Sequence, residues 1–215
     1  MKEKNGKTRL YLIRHGETTW NKERRYQGTT NIPLAPEGHA QANQLGKRFL
    51  NLPLDHIYCS PLDRAVDTAK KIQETKNVPL TPMDAFTEIN FGKWEGHTIQ
   101  ELIELYGESY IAYEKNPFAH EVPGEGSFHN AQARAMAGVK ELLQKHKNQS
   151  VAIVSHGGLL RVLLVGLLNF DETMYRKTWL SNTSITIVDI HEDGETFLFT
   201  LNDAAHLEGE AVSST

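Results

Sequence analysis

The sequence predicts an α/β layer sandwich built on a largely parallel sheet, with one insertion over its edge. Three observations carry the prediction. Short apolar runs without polar alternation recur along the chain, as in strands buried on both faces. Segments of helical apolar spacing separate them, which is the pattern of parallel strands joined by crossover helices. Three of these runs end abruptly on charged, imidazole or glycine residues, and in open α/β sheets ligands sit beyond the carboxyl ends of strands.

The elements follow in order. Residues 10–13 (LYLI) read as a buried strand. Residues 37–52 carry Ala40, Leu45, Phe49 and Leu52 at helical spacing. Pro36 suits the first turn of that helix, where a missing N–H costs little, although Ala35 is a poor N-cap. "HIYCS" (56–60) is a second strand and "PLDRAVDTAKKIQETK" (61–76) a helix with Pro61 at its start. "SVAIVSHGG" (150–158) is a third strand running into glycines. "LLRVLLVGLL" (159–168) lacks a polar face, so this helix is expected to be buried on most sides. "SITIVDI" (184–190) and "ETFLFTL" (195–201) are late strands joined by "HEDG", which reads as a hairpin turn. Residues of about 89–127 differ: "FGKWEGHT", a helical run "IQELIELYG" and the broken "NPFAHEVPGEGS" read as a cap inserted into one domain spanning 1–215.

At 215 residues, 39% of them hydrophobic, the chain can bury one sizeable core. A net charge of −4 does not favour a nucleic-acid binder. A single cysteine, Cys59, rules out an intrachain disulfide framework. The start "MKEKNGKTR" has no apolar signal region, and no apolar stretch is long enough to span a bilayer. A cytoplasmic protein without a membrane partner is expected. The polar tail "EGEAVSST" is expected to fray.

If the early strands are parallel, Arg14-His15, Ser60 with Arg64, and His156-Gly157 converge at one edge of the sheet. Two arginines, two histidines and a helix N-terminus make an electropositive pocket suited to a phosphoryl group. Neighbouring cations would push the pKa of His15 down and keep its imidazole neutral, as a nucleophile toward phosphorus requires. The leaving alkoxide needs an acid, and Glu88 and Glu17 are the nearest candidates. Each residue alone has a bland reading: Arg64 as an exposed helix residue paired with Asp63 or Asp67, Glu88 as a loop salt bridge. Other chemistries fit less well. Cys59 and Arg64 stand one residue too close for a cysteine phosphatase loop, and Cys59 reads as a core thiol. No H-E-x-x-H spacing supports zinc, and no Walker loop is present.

These residues resemble the histidine phosphatase, or phosphoglycerate mutase-like, superfamily. "LIRHGETTWN" resembles its signature. The match continues through "YQGTTNIPLAPEGHAQA", "CSPLDRAVDTA", "EINFGKWEG", "VSHGGLLRVLL" and "LNDAAHL". The chain departs from the family at Ala35, where threonine is frequent, and at "PGEGS" (123–127), where "PGGES" is. The resemblance implies a three-layer α/β/α sandwich with a small cap. It implies His15 as the phosphorylated nucleophile and Glu88 as the proton donor. Arg14, Arg64 and His156 would hold the phosphoryl group, helped by Asn21, Gln27 and the Gly157 amide. It implies no metal and no cofactor.

Two activities compete within that family, and a phospho-ligand binding protein without catalysis is a third reading. No arginine lies between Arg64 and Arg134, so the cap offers no guanidinium fork for the carboxylate of phosphoglycerate. The cap is instead rich in Phe91, Trp94, Tyr106, Tyr110, Tyr113 and Phe118, most of them expected in the core. This favours a metal-independent phosphatase of small phosphomonoesters, acting through phosphohistidine, over a cofactor-dependent mutase. The physiological substrate is not named by the sequence, and the oligomeric state, a homodimer included, stays open.

Overall fold

A computed structural model of the protein describes residues 6–207. Its centre is strand β1 (Lys7–Arg14), which sends alternate side chains to opposite faces. Leu10 and Leu12 enter one core cluster, Tyr11 and Ile13 another. That double burial is why the run is continuously apolar. β4 (Ser150–Ser155) divides in the same way, with Val151 and Ile153 on one face and Ala152 and Val154 on the other.

The other strands are β2 (His56–Cys59), β3 (Leu80–Pro82), β5 (Ile185–His191) and β6 (Thr196–Asp203), in sheet order β3-β2-β4-β1-β5-β6. The first four are parallel, whereas β5 and β6 are antiparallel to their neighbours. The hairpin expected at "HEDG" is present, with Gly194 at φ +91°. Helices α2 (Pro36–Phe49) and α3 (Asp63–Lys76) pack on one face of the sheet. α6 (Phe128–Lys145) and α7 (Gly157–Leu167) pack on the other, giving three layers. The short α1 (Thr19–Lys22) and α8 (Met174–Lys177) frame the carboxyl edge of the sheet. After Ile89 come α4 (Ile99–Tyr106) and α5 (Glu108–Lys115), parted by Gly107 at φ +54°.

Several boundaries differ from the sequence reading. The third strand stops at Ser155, because Gly157 and Gly158 already form the first turn of α7. Pro61 precedes α3 instead of starting it. Ala35 caps α2 without a side-chain hydrogen bond, as its methyl group requires. Ser127 caps α6, its hydroxyl accepting from Asn130 N–H at 3.2 Å. Phe91, Trp94, Tyr110, Tyr113 and Phe118 belong to the core cluster that also holds the inner face of α7. Cys59 is buried and its thiol pushed up to about 12 by burial, so it is a core thiol. No helix among the described residues is long and apolar enough to cross a membrane. The tail from 208 onward lies outside the described residues.

Candidate active site

Parallel pairing brings the ends of β1, β2 and β4 level: Arg14 sits opposite Ser155, and Cys59 opposite Val154. The residues just beyond converge on a cavity of about 620 Å³. Arg14, His15, Asn21, Gln27, Arg64, Glu88 and Gly157 line it. His156 lies behind this wall, its ring centroid 5.1 Å from that of His15. Glu17 does not line the cavity. Its carboxylate accepts from Gln41 at 3.2 Å, which removes it as the candidate acid. Ser60 is buried and accepts from the Leu62 N–H at 3.3 Å.

Backbone geometry fixes both imidazoles. His15 Nδ1 is 2.7 Å from the Gly16 carbonyl oxygen. A carbonyl only accepts, so Nδ1 carries the proton and Nε2 keeps its lone pair. His156 Nδ1 accepts from Arg64 Nε at 3.2 Å, so its proton is on Nε2. Burial, then Arg64 and Arg14, hold the pKa of His15 well below 6.5. Burial and Arg64 do the same to His156. Both rings are neutral at physiological pH.

Arg64 is fully buried, and its guanidinium also donates to the Thr30 and Gly28 carbonyls at 2.8 and 2.6 Å. Arg14 donates to the Leu180 carbonyl at 2.7 Å. Burial lowers each guanidinium to about 10, helped for Arg14 by the Arg161 charge. Both stay cationic at neutral pH. Arg14 Nε and His156 Nε2 are buried donors without a protein partner, and Gln27 Oε1 is a buried atom in the same condition. Unpaired buried donors beside two guanidiniums that form no direct ion pair among the described residues describe a place made for an anion. Asn21 uses its carbonyl to accept from Thr18 N–H and Asn182 Nδ2 at 3.0 and 3.4 Å, which leaves its own N–H₂ for the cavity.

The helix N-terminus is used differently from expectation. Glu88, not a ligand, caps α7: its carboxylate accepts from the Gly158 and Leu159 N–H groups at 3.0 and 2.7 Å, and from Ile89 N–H at 2.9 Å. Only the first amide, Gly157, remains at the cavity wall. Negative charge at a helix N-terminus is favourable, so the dipole anchors Glu88 on the wall of the cavity that His15 also lines. Arg134 of α6 holds the preceding loop, donating to the Ala85 and Thr87 carbonyls at 3.1 and 2.8 Å.

Known proteins resemble this chain in sequence and fold. The sequence profile of the histidine phosphatase superfamily (branch 1) matches residues 10–203. The chain belongs to that superfamily. Phosphoserine phosphatase 1 of Hydrogenobacter thermophilus is 32% identical over 199 residues, covering 93% of this chain and 94% of that protein. The solved YhfR of Bacillus stearothermophilus superposes with a TM-score of 0.87 at 32% identity, covering 94% of this chain and all of that one. A mutant phosphoserine phosphatase of Entamoeba histolytica, solved with phosphoserine, gives 0.81 at 37% identity over 93% of this chain and 99% of its own.

This histidine phosphatase holds site residues that the sequence reading passed over. Arg161 of α7 lines the cavity, donating to the Gly157 carbonyl and the Tyr175 hydroxyl at 3.1 and 2.9 Å. Arg24, Arg25, Arg176 and Lys177 line it as well. The cap does lack arginine, but the cavity does not lack guanidinium groups: they arrive from α7, α8 and the loop after α1. The signal was a lone arginine in an otherwise apolar helix, four residues after Gly157. Asn182 braces the turn after β1, donating to the His15 carbonyl at 2.8 Å. Of the cap aromatics, Phe91 and Tyr113 reach the cavity wall. Among the described residues no cluster of His, Cys, Asp or Glu is placed to hold a metal ion.

Proposed function

We propose that the protein hydrolyses small phosphomonoesters in two displacements through a phosphohistidine on His15. His15 Nε2 attacks phosphorus, the ester P–O bond breaks, and the leaving oxygen takes a proton from Glu88. Water then attacks the phosphohistidine, gives its proton to Glu88 and releases inorganic phosphate and free His15. Arg14, Arg64, the His156 Nε2–H, Asn21, Gln27 and the Gly157 amide hold the phosphoryl oxygens. Phosphoserine, named for two of the relatives, is one ester of this class.

The observation that carries the reading is the His15 Nδ1–H bond to the Gly16 carbonyl, which leaves Nε2 unprotonated in the cavity. Rapid quench with radiolabelled substrate tests it. Acid-labile, base-stable phosphate should be trapped on His15, and His15→Ala should release no phosphate. A fully active His15→Ala enzyme would end the proposal. The mutase reading draws support from Arg161 and Arg24, which could grip a carboxylate. A coupled enolase assay beside a phosphate-release assay decides. Phosphoglycerate interconversion that outpaces phosphate release from every ester would make the mutase reading correct.

A further inference from the structure

Glu114 of α5 is one of two carboxylates on the cavity wall among the described residues; the other, Glu88, is held by the first amides of α7, and the remaining charged lining is arginine and lysine. Its Oε1 accepts from the Tyr26 and Tyr110 hydroxyls at 3.0 and 3.1 Å, and those two hydroxyls are 2.8 Å from one another. The phenols fix the carboxylate without neutralising it. No hydrogen bond engages Oε2, and no lysine, arginine or histidine among the described residues pairs with Glu114. Arg25, its neighbour on the cavity lining, is taken by Glu23 and Glu101 at 2.7 and 3.0 Å. Phe91, Tyr113 and Pro117 line the same cavity, and Glu114 itself is half-buried. Burial, with Glu114 adding to it, pushes the Tyr26 and Tyr113 hydroxyls well above their ordinary range.

A fixed carboxylate with a free oxygen, in a pocket where cations outnumber the two carboxylates among the described residues, has no role in holding phosphate. It repels the phosphoryl group and the carboxylates that Arg161 would attract. What it fits is a cation on the far end of the substrate. We infer that Glu114 is a specificity-determining residue that binds a protonated amine on the leaving group, so the preferred substrates are phosphomonoesters of amino alcohols. This rests on the proposed phosphatase reading and adds to it the chemical class of the leaving group. The ammonium would donate to Glu114 Oε2 while the phosphoryl group occupies the Arg14–Arg64–His156 cluster. The phenol-held Oε1 keeps the carboxylate from turning toward the guanidiniums.

Two esters of nearly equal size separate the effect of charge. O-Phosphoethanolamine carries the ammonium, and 2-hydroxyethyl phosphate replaces it with a hydroxyl. The wild-type enzyme is expected to prefer the amine in kcat/KM by about tenfold to a hundredfold, the usual range for one charge-assisted hydrogen bond. In Glu114→Gln, whose amide oxygen can still accept from both phenols, that ratio should fall to about one, mainly through KM. Hydrolysis of both esters by the wild type with no preference for the amine would overturn the inference and leave the phosphatase reading standing. So would an unchanged ratio in Glu114→Gln. No phosphate release from either ester or from any other monoester would overturn both. The wild-type ratio needs no variant, so a poorly folded Glu114→Gln would not rescue the inference.

Discussion

His15 and His156 are neutral imidazoles among guanidinium groups, and that state has a thermodynamic signature. In the unfolded chain each ring takes up a proton near its ordinary pKa of 6.5. In the folded protein each stays neutral until the pH is well lower, because burial and Arg64 oppose its charge. Below 6.5 the unfolded state therefore binds more protons, and folding stability falls as the pH drops through that window. Each ring contributes a slope of about 1.4 kcal/mol per pH unit, and the pair about 2.7. Denaturant melts of the wild type should show this decline. His15→Asn, which removes one titrating group, should about halve the slope that the pair accounts for. A profile flat from neutrality to about pH 5 would show that the rings protonate freely in the fold. Glu88 carries a second prediction at this scale. In the proposed role of proton donor it matters most for poor leaving groups. Glu88→Gln should slow alkyl phosphates by about a hundredfold or more, while nitrophenyl phosphate, whose phenolate leaves unaided, is much less affected. Equal losses on both would reduce Glu88 to a cap of α7.

The first turn of α7 joins the end of β4, the Glu88 carboxylate and the cavity wall in one element. A Cβ on Gly158 would stand 2.8 Å from Glu88 Oε1, closer than any real contact. Gly158→Ala must displace that carboxylate from the amides that hold it. The substitution should leave phosphate binding by Arg14 and Arg64 in place and lower turnover of alkyl phosphates on the order of tenfold to a hundredfold, as small displacements of a reacting group do. Inorganic phosphate inhibition, measured beside turnover, separates the two effects. A parallel loss of both would mean the whole turn had collapsed. The elements differ in how far the sequence announces them. β1 and β4 are plain because burial on both faces leaves no polar residue in the run. The convergence of Arg14-His15, Arg64 and His156 follows from parallel strands ending level. By contrast, α6 buries Ala131, Ala135 and Gly138 between Phe128 and the Val139–Leu142 turn, so small residues interrupt its apolar stripe. β3 has three residues and ends in Pro82. Glu88 as cap of α7 was not readable, because that contact joins residues seventy positions apart. Arg161 was hidden by the same apolar helix that makes α7 recognisable.

The whole molecule is acidic, at −4, yet the edge of its parallel strands gathers Arg14, Arg24, Arg64, Arg161 and Arg176 around one cavity. These charges are scattered along the sequence and meet only when the chain folds. Their mutual repulsion is part of what lowers Arg14 to about 10, alongside burial. An anion that enters the cavity relieves that repulsion in the folded state and finds no equivalent site in the unfolded one. Inorganic phosphate or vanadate should therefore raise the melting temperature by mass action. At about a hundred times the dissociation constant the gain is about 2.7 kcal/mol. For a chain of this size that corresponds to a shift of about 5–10 °C. Sodium chloride at equal ionic strength screens the same charges without bridging them, and should shift the midpoint far less. Arg64→Met, which removes the buried fork but keeps much of its bulk, should abolish most of the phosphate-specific shift. Chelator should leave the shift intact, since the anion is held by guanidinium, imidazole and amide groups. If chloride and phosphate shift the wild type equally, the cavity binds no specific anion. If chelator removes the phosphate effect, a metal ion completes the site and the side chains described here are insufficient to hold the phosphoryl group.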